Sequence, residues 1–421
     1  MKDGEAAAEA AFSAQVWVNL RRNFVAHLCH GLLGQTGMRL INAPTFIPAY
    51  VFALSGSELA VGVVRGLQYL GMFLSPVVGA TVIEHRRRVL PVALWVGVLM
   101  RVQILGLALS GLLLAPPAAL LATGLFLGLF GVFLGVQGVA FNFLVAKVIP
   151  VERRGVLVGL RNALSGVTAA GVAIYAGREL VESDALGSGY AATFLLAFVL
   201  TSFGLAMMAF VREPESPRVR AMSGIGERLR DLPALLRSDR DFTRYFLARA
   251  LAVMGRMAVP FYWIYAQRRI ELSGSRLGEL TAAFVLAQSV GNLIWGAVAD
   301  RVGFRAVFLA SLGLWMLSAL LLLETATYAR LLLVFAGLGA GLGGFQMSAQ
   351  NLVLEFGSRH NLPLRIAVAN SASELVAAVG AVAGGALAMW VSLEAVFAVA
   401  ITSQAIALGI VVVSVRDPRA R

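Results

Sequence analysis

The sequence predicts an all-α membrane protein with twelve transmembrane helices in two six-helix bundles. Three observations carry this. First, the 421 residues are 59% hydrophobic and only 14% charged, with a mean hydropathy of +0.80, whereas an average soluble domain is about 45–50% apolar and about 25% charged. There are too few charged side chains to cover the surfaces of the two or three soluble domains that such a length implies, so an ordinary cytosolic enzyme and a disordered chain are excluded. Second, the apolar residues fall into twelve runs, each near the roughly 20 residues that a helix needs to cross the hydrocarbon core. Third, a single long polar segment divides these runs six and six.

Charges, prolines and glycine-serine turns set the boundaries. The runs are 23–52, 58–83, 89–114, 117–146, 155–180 and 189–211, then 243–267, 276–299, 305–324, 329–355, 363–390 and 394–415. Backbone groups cannot go unpaired in lipid, so each run is expected to be helical. The expected organisation is an N-terminal segment 1–22, a first bundle 23–211, a central loop 212–242, a second bundle 243–415 and a tail 416–421. Within the loop, Ile225–Leu236 has the composition of either a short amphipathic surface helix or a flexible basic linker. The first twenty residues have no compact apolar core followed by a small-residue cleavage site, so no cleaved leader is expected.

The net charge of +12 and the pI near 10.7 are read as membrane orientation rather than as affinity for nucleic acid. With the N-terminus inside, the inner segments carry 24 of the 35 Lys and Arg residues, the outer loops carry five (Arg178, Arg268, Arg269, Arg276 and Arg330), and six lie within spans. That asymmetry puts both termini in the cytoplasm. Cys29 is the only cysteine, so no internal disulfide can form.

The halves resemble each other. SGSELAVG at 55–62 and SGSRLGEL at 273–280 open the second and eighth spans, 218 residues apart. Pro44 and Pro260 lie 216 apart, and GVQGVAFN ending at Asn142 matches GFQMSAQN ending at Asn351 at an offset of 209. Three matches in the same order suggest a duplicated six-helix unit, a design in which a solute site lies near the midplane between repeats.

After the eighth span comes GAVADRVGFR, Gly296 to Arg305. Here the chain resembles the major facilitator superfamily, whose G-x-x-x-D-R-x-G-R-[RK] signature follows the second helix and is often echoed after the eighth. Gly296, Asp300, Arg301, Gly303 and Arg305 match the echo. Gly296 is expected to permit close helix packing. The resemblance implies that this cluster helps to latch the cytoplasmic side. The first-half copy, GATVIEHRRR, is degenerate: Glu84 stands near the aspartate position, no glycine follows, and Arg86 to Arg88 keep the charge. The resemblance extends over the whole chain through span count and layout. It implies secondary active transport by alternating access and leaves the substrate open.

Polar side chains within spans are costly and so are candidates for the site. The resemblance places the first, fourth, seventh and tenth helices along the central path. In the first span Gln35, Arg39 and Asn42 share one face at i, i+4 and i+7, and Pro44 and Pro48 interrupt that helix. In the seventh, Arg256 lies near mid-span, while Arg249 is close enough to the end to snorkel. The fourth and tenth spans contribute Gln137, Asn142, Gln346 and Gln350, which suit either inter-helix glue or solute contact. Asn370 and Glu374 share a face of the eleventh span. Two roles fit Glu374: a group that binds and releases a proton, or the fixed counter-ion of Arg39 or Arg256. Arg65 is expected to snorkel, Arg101 to pair with a neighbouring helix, and Arg161 to line an inner vestibule. His27 and His30 are expected in packing.

Six arginines against one central glutamate favour an anionic or zwitterionic solute. The partners expected are a small-molecule substrate, the lipid bilayer and, if Glu374 titrates, protons. No metal-ligand cluster, cofactor motif, phosphate loop or hydrolase motif is visible, and a single polypeptide is expected to work as a monomer. A lipophilic drug exporter or lipid flippase of the same fold, and a non-transporting chaperone or sensor, remain as alternatives. The 33 Arg to 2 Lys bias, with abundant Ala, Gly and Leu, suggests a GC-rich bacterial genome and hence the bacterial inner membrane.

Overall fold

The structure, a computed structural model, describes residues 2–216, 240–356 and 362–415. The expected surface helix over Ile225–Leu236, Arg359 and the tail 416–421 lie outside the described residues. An N-terminal helix that the sequence did not announce, α1 (Lys2–Val18), precedes the first span. That span is broken into α2 (Leu20–Asn42) and α3 (Phe46–Ser55). There follow α4 (Glu58–Ile83), α5 (Leu90–Leu113), α6 (Pro116–Val148), α7 (Val151–Tyr175), extended by a π-helical turn to Val181, and α8 (Gly189–Met207). The seventh span is also broken: α9 (Arg240–Val253), a tight 3₁₀ turn at Met254–Met257, then α10 (Phe261–Gln267). The last five spans are α11 (Gly274–Val302), α12 (Phe304–Leu323), α13 (Tyr328–Leu352), α14 (Leu362–Trp390) and α15 (Leu393–Ser414).

Ten of these helices are long and apolar enough to cross a membrane. The other two crossings are the broken ones, and both breaks have a local cause in proline. Pro44 has no amide hydrogen to donate and restricts Ala43, so α2 ends at Asn42, while Pro48 fits the first turn of α3, where a missing N–H costs nothing. Pro260 sits at the equivalent point before α10. The described residues thus form an all-α fold of twelve crossings in two bundles of six. Large apolar side chains face outward, among them Trp95 (70% exposed) and Leu121 (78% exposed). Such a surface is stable only against lipid, so this is a multi-pass integral membrane protein.

An even number of crossings brings both ends of the chain to one side, called here the proximal end; the 56–58 and 268–275 turns mark the distal end. Within the first bundle α4 and α5 pack on α6, and α2 packs on α7 and α8; within the second, α13 packs on α11 and α12, and α9 on α15. The bundles meet along α4 against α14 and α7 against α11. Lipid tails are as apolar as leucine, so these pairs rely on close approach rather than on a hydrophobic drive. A Cβ added to Gly62 would lie 2.4 Å from the Ala381 carbonyl oxygen and 2.8 Å from Gly385 Cα. One added to Gly278 would lie 2.4 Å from the Ala173 oxygen and 3.1 Å from Gly177 Cα. The two pairs are copies of one contact, displaced by the sequence repeat.

Candidate functional site

The two broken helices face each other across the bundle interface, and a cavity of about 240 Å³ lies between them. Its walls include Arg39, Asn42, Ala43 and Pro44 of the first span, Arg65, Gln68, Tyr69 and Met72 of α4, Arg256 and Val259 of the seventh span, Gln288 of α11 and Gln346 of α13. At about 30 Å³ per water in the liquid, this is room for a small solute.

Breaking a helix in lipid releases carbonyls that need donors, and arginines supply them here. Arg65 Nη2 donates to the Ala43 carbonyl at 2.7 Å, its Nη1 donates to Gln68 Oε1 at 2.7 Å, and Gln68 Nε2 donates to Asn42 Oδ1 at 2.9 Å. Arg65 is therefore buried and does not snorkel, against expectation. Arg39 crosses to the other bundle, where Nη1 donates to Ser289 Oγ at 2.6 Å and to the Val285 carbonyl at 3.3 Å. Arg256 crosses the opposite way. Its guanidinium lies 4.1 Å from the centroid of the Tyr69 ring, and its Nη1 donates to both oxygens of Glu374, at 3.1 and 3.2 Å. Three arginines with one carboxylate beside them leave this region electropositive.

Of the residues expected from sequence, Arg39, Asn42, Arg256 and Gln346 line the cavity, with Glu374 directly behind Arg256. Others lie elsewhere. Gln35 bonds Ser165 at 2.8 Å; with its amide oriented to donate there, its oxygen accepts from Arg161 Nη2 at 2.9 Å. Gln137 is buried beside α5, 3.5 Å from Arg101, which also donates to the Thr201 carbonyl of α8 at 2.9 Å. Asn142 and Gln350 are exposed and do not appear in the wall of the cavity. Asn370 accepts from Arg249 Nη2 at 2.8 Å, and Arg249 also donates to the Ala349 carbonyl at 3.1 Å. Arg249 is thus buried and ties α9 to α13 and α14, where snorkelling was one expectation. His27 is buried and His30 half-buried, and His30 stacks on Phe141 at 4.5 Å between centroids.

Arg65, Gln68, Tyr69 and Met72 form the part of the wall that sequence reasoning missed. Their i, i+3, i+4, i+7 spacing marks a single face of α4 and was the available signal.

The echo motif has a local structure of its own. Gly303 has φ +87°, a left-handed conformation that a side chain would strain, and it turns the chain from α11 into α12. Arg305 donates to the Val411, Val412 and Val415 carbonyls at 3.0–3.2 Å, capping the C-terminal end of α15 where the helix dipole favours a cation. Asp300 and Arg301 are exposed at the end of α11, and Glu84 stands at the C-terminal end of α4. A Cβ on Gly296 would meet nothing within 4 Å, so Gly296 does not serve close packing in this conformation.

The distal end is closed by further links between bundles. Glu58 pairs with Arg268, Thr45 Oγ1 lies 2.6 Å from Thr281 Oγ1, and Glu182 accepts from the Ser275 amide at 2.6 Å. Among the described residues no group of three or more His, Cys, Asp or Glu side chains could hold a metal.

A central cavity between two duplicated bundles, with broken helices at its walls, defines the class of solute transporter folds. Comparison with known proteins makes this specific. The sequence model of the Major Facilitator Superfamily matches residues 245–421. Over 93% of this chain and 98% of the other, the structure superposes on a mutant of the nucleoside transporter NupG with a TM-score of 0.71 at 11% identity. It superposes on a D-xylose-proton symporter with a TM-score of 0.72 at 13% identity, over 95% and 99% of the two chains. A bacterial homologue of the iron transporter ferroportin in an inward-facing state gives 0.67 at 14% identity, over 93% and 98%. In sequence, 115 residues are 28% identical to multidrug resistance protein D of Escherichia coli (strain K12), covering 26% of this chain and 29% of that protein. Residues 245–421 thus resemble the Major Facilitator Superfamily in sequence, and the whole chain shares the fold of these solved transporters.

Proposed function

We propose that this protein is a secondary active transporter that moves a small anionic or zwitterionic organic solute through the central cavity by alternating access. The observation that carries the reading is the cavity wall, where Arg39, Arg65 and Arg256 meet and Glu374 is the neighbouring acid. A guanidinium fork matches a carboxylate or phosphate, and a charge withdrawn from water needs an opposite charge beside it. With both termini in the cytoplasm, as the arginine distribution indicates, the distal end faces outward. The Glu58–Arg268, Thr45–Thr281 and glycine contacts then describe a conformation closed to the outside.

The two bundles are the rocking units, the 212–242 segment is their link, and the motif from Gly296 to Arg305 with Glu84 forms the inner gate. Coupling to a proton is part of the proposal: Glu374 would carry it, and a structural relative is a D-xylose-proton symporter. The protein works as a monomer in a bacterial inner membrane and catalyses no covalent chemistry. Drug export is the second reading, favoured by the name of the E. coli relative. Purified protein in liposomes decides between them. Accumulation of one class of organic anion under an imposed pH gradient, lost in Arg39→Gln, supports the proposal; transport of lipophilic cations with no response to anions would replace it with drug export.

A further inference from the structure

The sequence repeat holds at the level of single contacts, and this allows the two halves of the cavity to be compared residue by residue. Gly62 and Gly278 are 216 residues apart, and they meet Ala381 with Gly385 and Ala173 with Gly177, each pair 208 apart, through the same carbonyl contact at 2.4 Å. Position 69 in α4 therefore corresponds to 285 in α11. The two crossing arginines obey this correspondence: Arg256 lies over Tyr69, and Arg39 bonds the Val285 carbonyl. They lie 217 residues apart, one more than Pro44 and Pro260, so they match in space rather than in strict register, each reaching from a broken helix into the opposite bundle.

The two differ in one respect. Glu374 stands beside Arg256 in α14, and 208 residues earlier its counterpart in α7 is Gly166. Gly166 is beside Arg39, since a Cβ built there would lie 3.7 Å from Arg39 Nη1; it would also lie 2.3 Å from Ser289 Oγ and 2.6 Å from Ser289 Cβ, so the close approach of α7 to α11 leaves no room for a side chain at this position. The carboxylate that compensates Arg256 is thus deleted at Arg39. Among the described residues, Arg39 hydrogen-bonds only through Nη1, to a neutral hydroxyl and a carbonyl. Arg65, the third arginine, commits both terminal nitrogens to Gln68 and Ala43.

We propose that Arg39 is the contact for the solute's oxyanion, a carboxylate or a phosphate, and that Gly166 keeps this arginine without the internal counter-charge that Glu374 gives its twin. This assignment rests on the anionic-solute reading above. Specificity then follows from an omission: the half-site with its own carboxylate is self-neutralised, and the half-site without one recruits the substrate's.

The test supplies the missing charge. In Ser289→Asp the new carboxylate occupies the place of the hydroxyl now 2.6 Å from Arg39, while Ser289→Asn adds similar bulk without charge. The full chain in nanodiscs is titrated with acetate, lactate, benzoate and succinate in one arm and inorganic phosphate and glycerol phosphate in the other, with the melting temperature as readout. The expected result is stabilisation of wild type by one arm, weakened at least tenfold in Ser289→Asp and in Arg39→Gln but less than threefold in Ser289→Asn. Glu374→Gln, which strips the charge from the other half-site, is expected to bind the same oxyanion several-fold more tightly. If an oxyanion stabilises wild type and Ser289→Asp alike, this assignment is overturned while the anionic-solute reading stands. If neither arm stabilises wild type, both fall.

Discussion

Alanine at Gly62 should push the transporter toward a form open at the distal end, by an amount that the geometry bounds. The added Cβ would lie 2.4 Å from the Ala381 oxygen and 2.8 Å from Gly385 Cα, whereas carbon–oxygen contacts settle at about 3.3 Å or more. The helices α4 and α14 must part by nearly 1 Å at the distal end, because both clashing groups are backbone. Overpacking of this size costs about 1–3 kcal/mol. The cost is felt only while the distal end is closed, so it appears as a shift of about 5- to 160-fold in the ratio of closed to open states. Gly278→Ala tests the copied contact, and the double variant should shift the ratio by more than either single one. The assay uses electron-spin distances between labels at Leu113 and Val391, both exposed at the distal end, in a chain whose Cys29 is replaced by serine. A longer distance should grow from wild type to single to double variant. Unchanged distributions in a stable double variant would refute the claim that these glycine contacts hold the distal end shut.

Three further predictions concern charges. Lys147 and Glu213 form an ion pair at 2.7 Å with side chains 4% and 2% exposed, and the same carboxylate caps α5 through the Val89 and Leu90 amides; Lys147→Met should cost about 3–5 kcal/mol by leaving Glu213 uncompensated, read as a fall in melting temperature that Lys147→Arg largely avoids. The Glu182 carboxyl is held below its ordinary pKa, chiefly by the Ser275 amide, with the Ser273 and Ser275 hydroxyls and Arg276 adding to it. Its contribution to distal closure is complete above the usual carboxylate range and disappears as pH falls through the lowered value, so acid should lengthen the same spin distance in wild type, whereas Glu182→Gln should be lengthened already at neutral pH and insensitive to acid. Glu374→Gln should abolish accumulation driven by a pH gradient while counterflow exchange persists; equal losses of both would assign Glu374 to the ion pair alone.

The architecture was legible because its causes are local or additive. Apolar run length, the proline breaks and the span count need no knowledge of partners, since lipid forces every run into a helix that satisfies its own backbone. Arg39, Asn42 and Arg256 could be picked out for the same reason: a polar group in mid-span is conspicuous wherever it points. The misjudged residues were those whose role depends on a neighbour distant in sequence. Arg65 looked close enough to a membrane face to reach water, but the carbonyl freed at Ala43 draws it inward. Arg249 turned instead to Ala349 and Asn370. Gln137 and Asn142 sit on a helix of the central path, yet their faces turn away from the cavity, and helical spacing alone does not fix which face a bundle buries.

By itself, then, the sequence determined that the chain crosses a membrane twelve times as a duplicated six-helix unit with arginines in its interior. The tertiary structure alone decided how those arginines differ. Arg256 received Glu374 as a partner, Arg65 received a carbonyl and an amide, and Arg39 was left beside a glycine. Hydropathy weighs each charge separately, and only the packed bundles reveal which charges compensate one another.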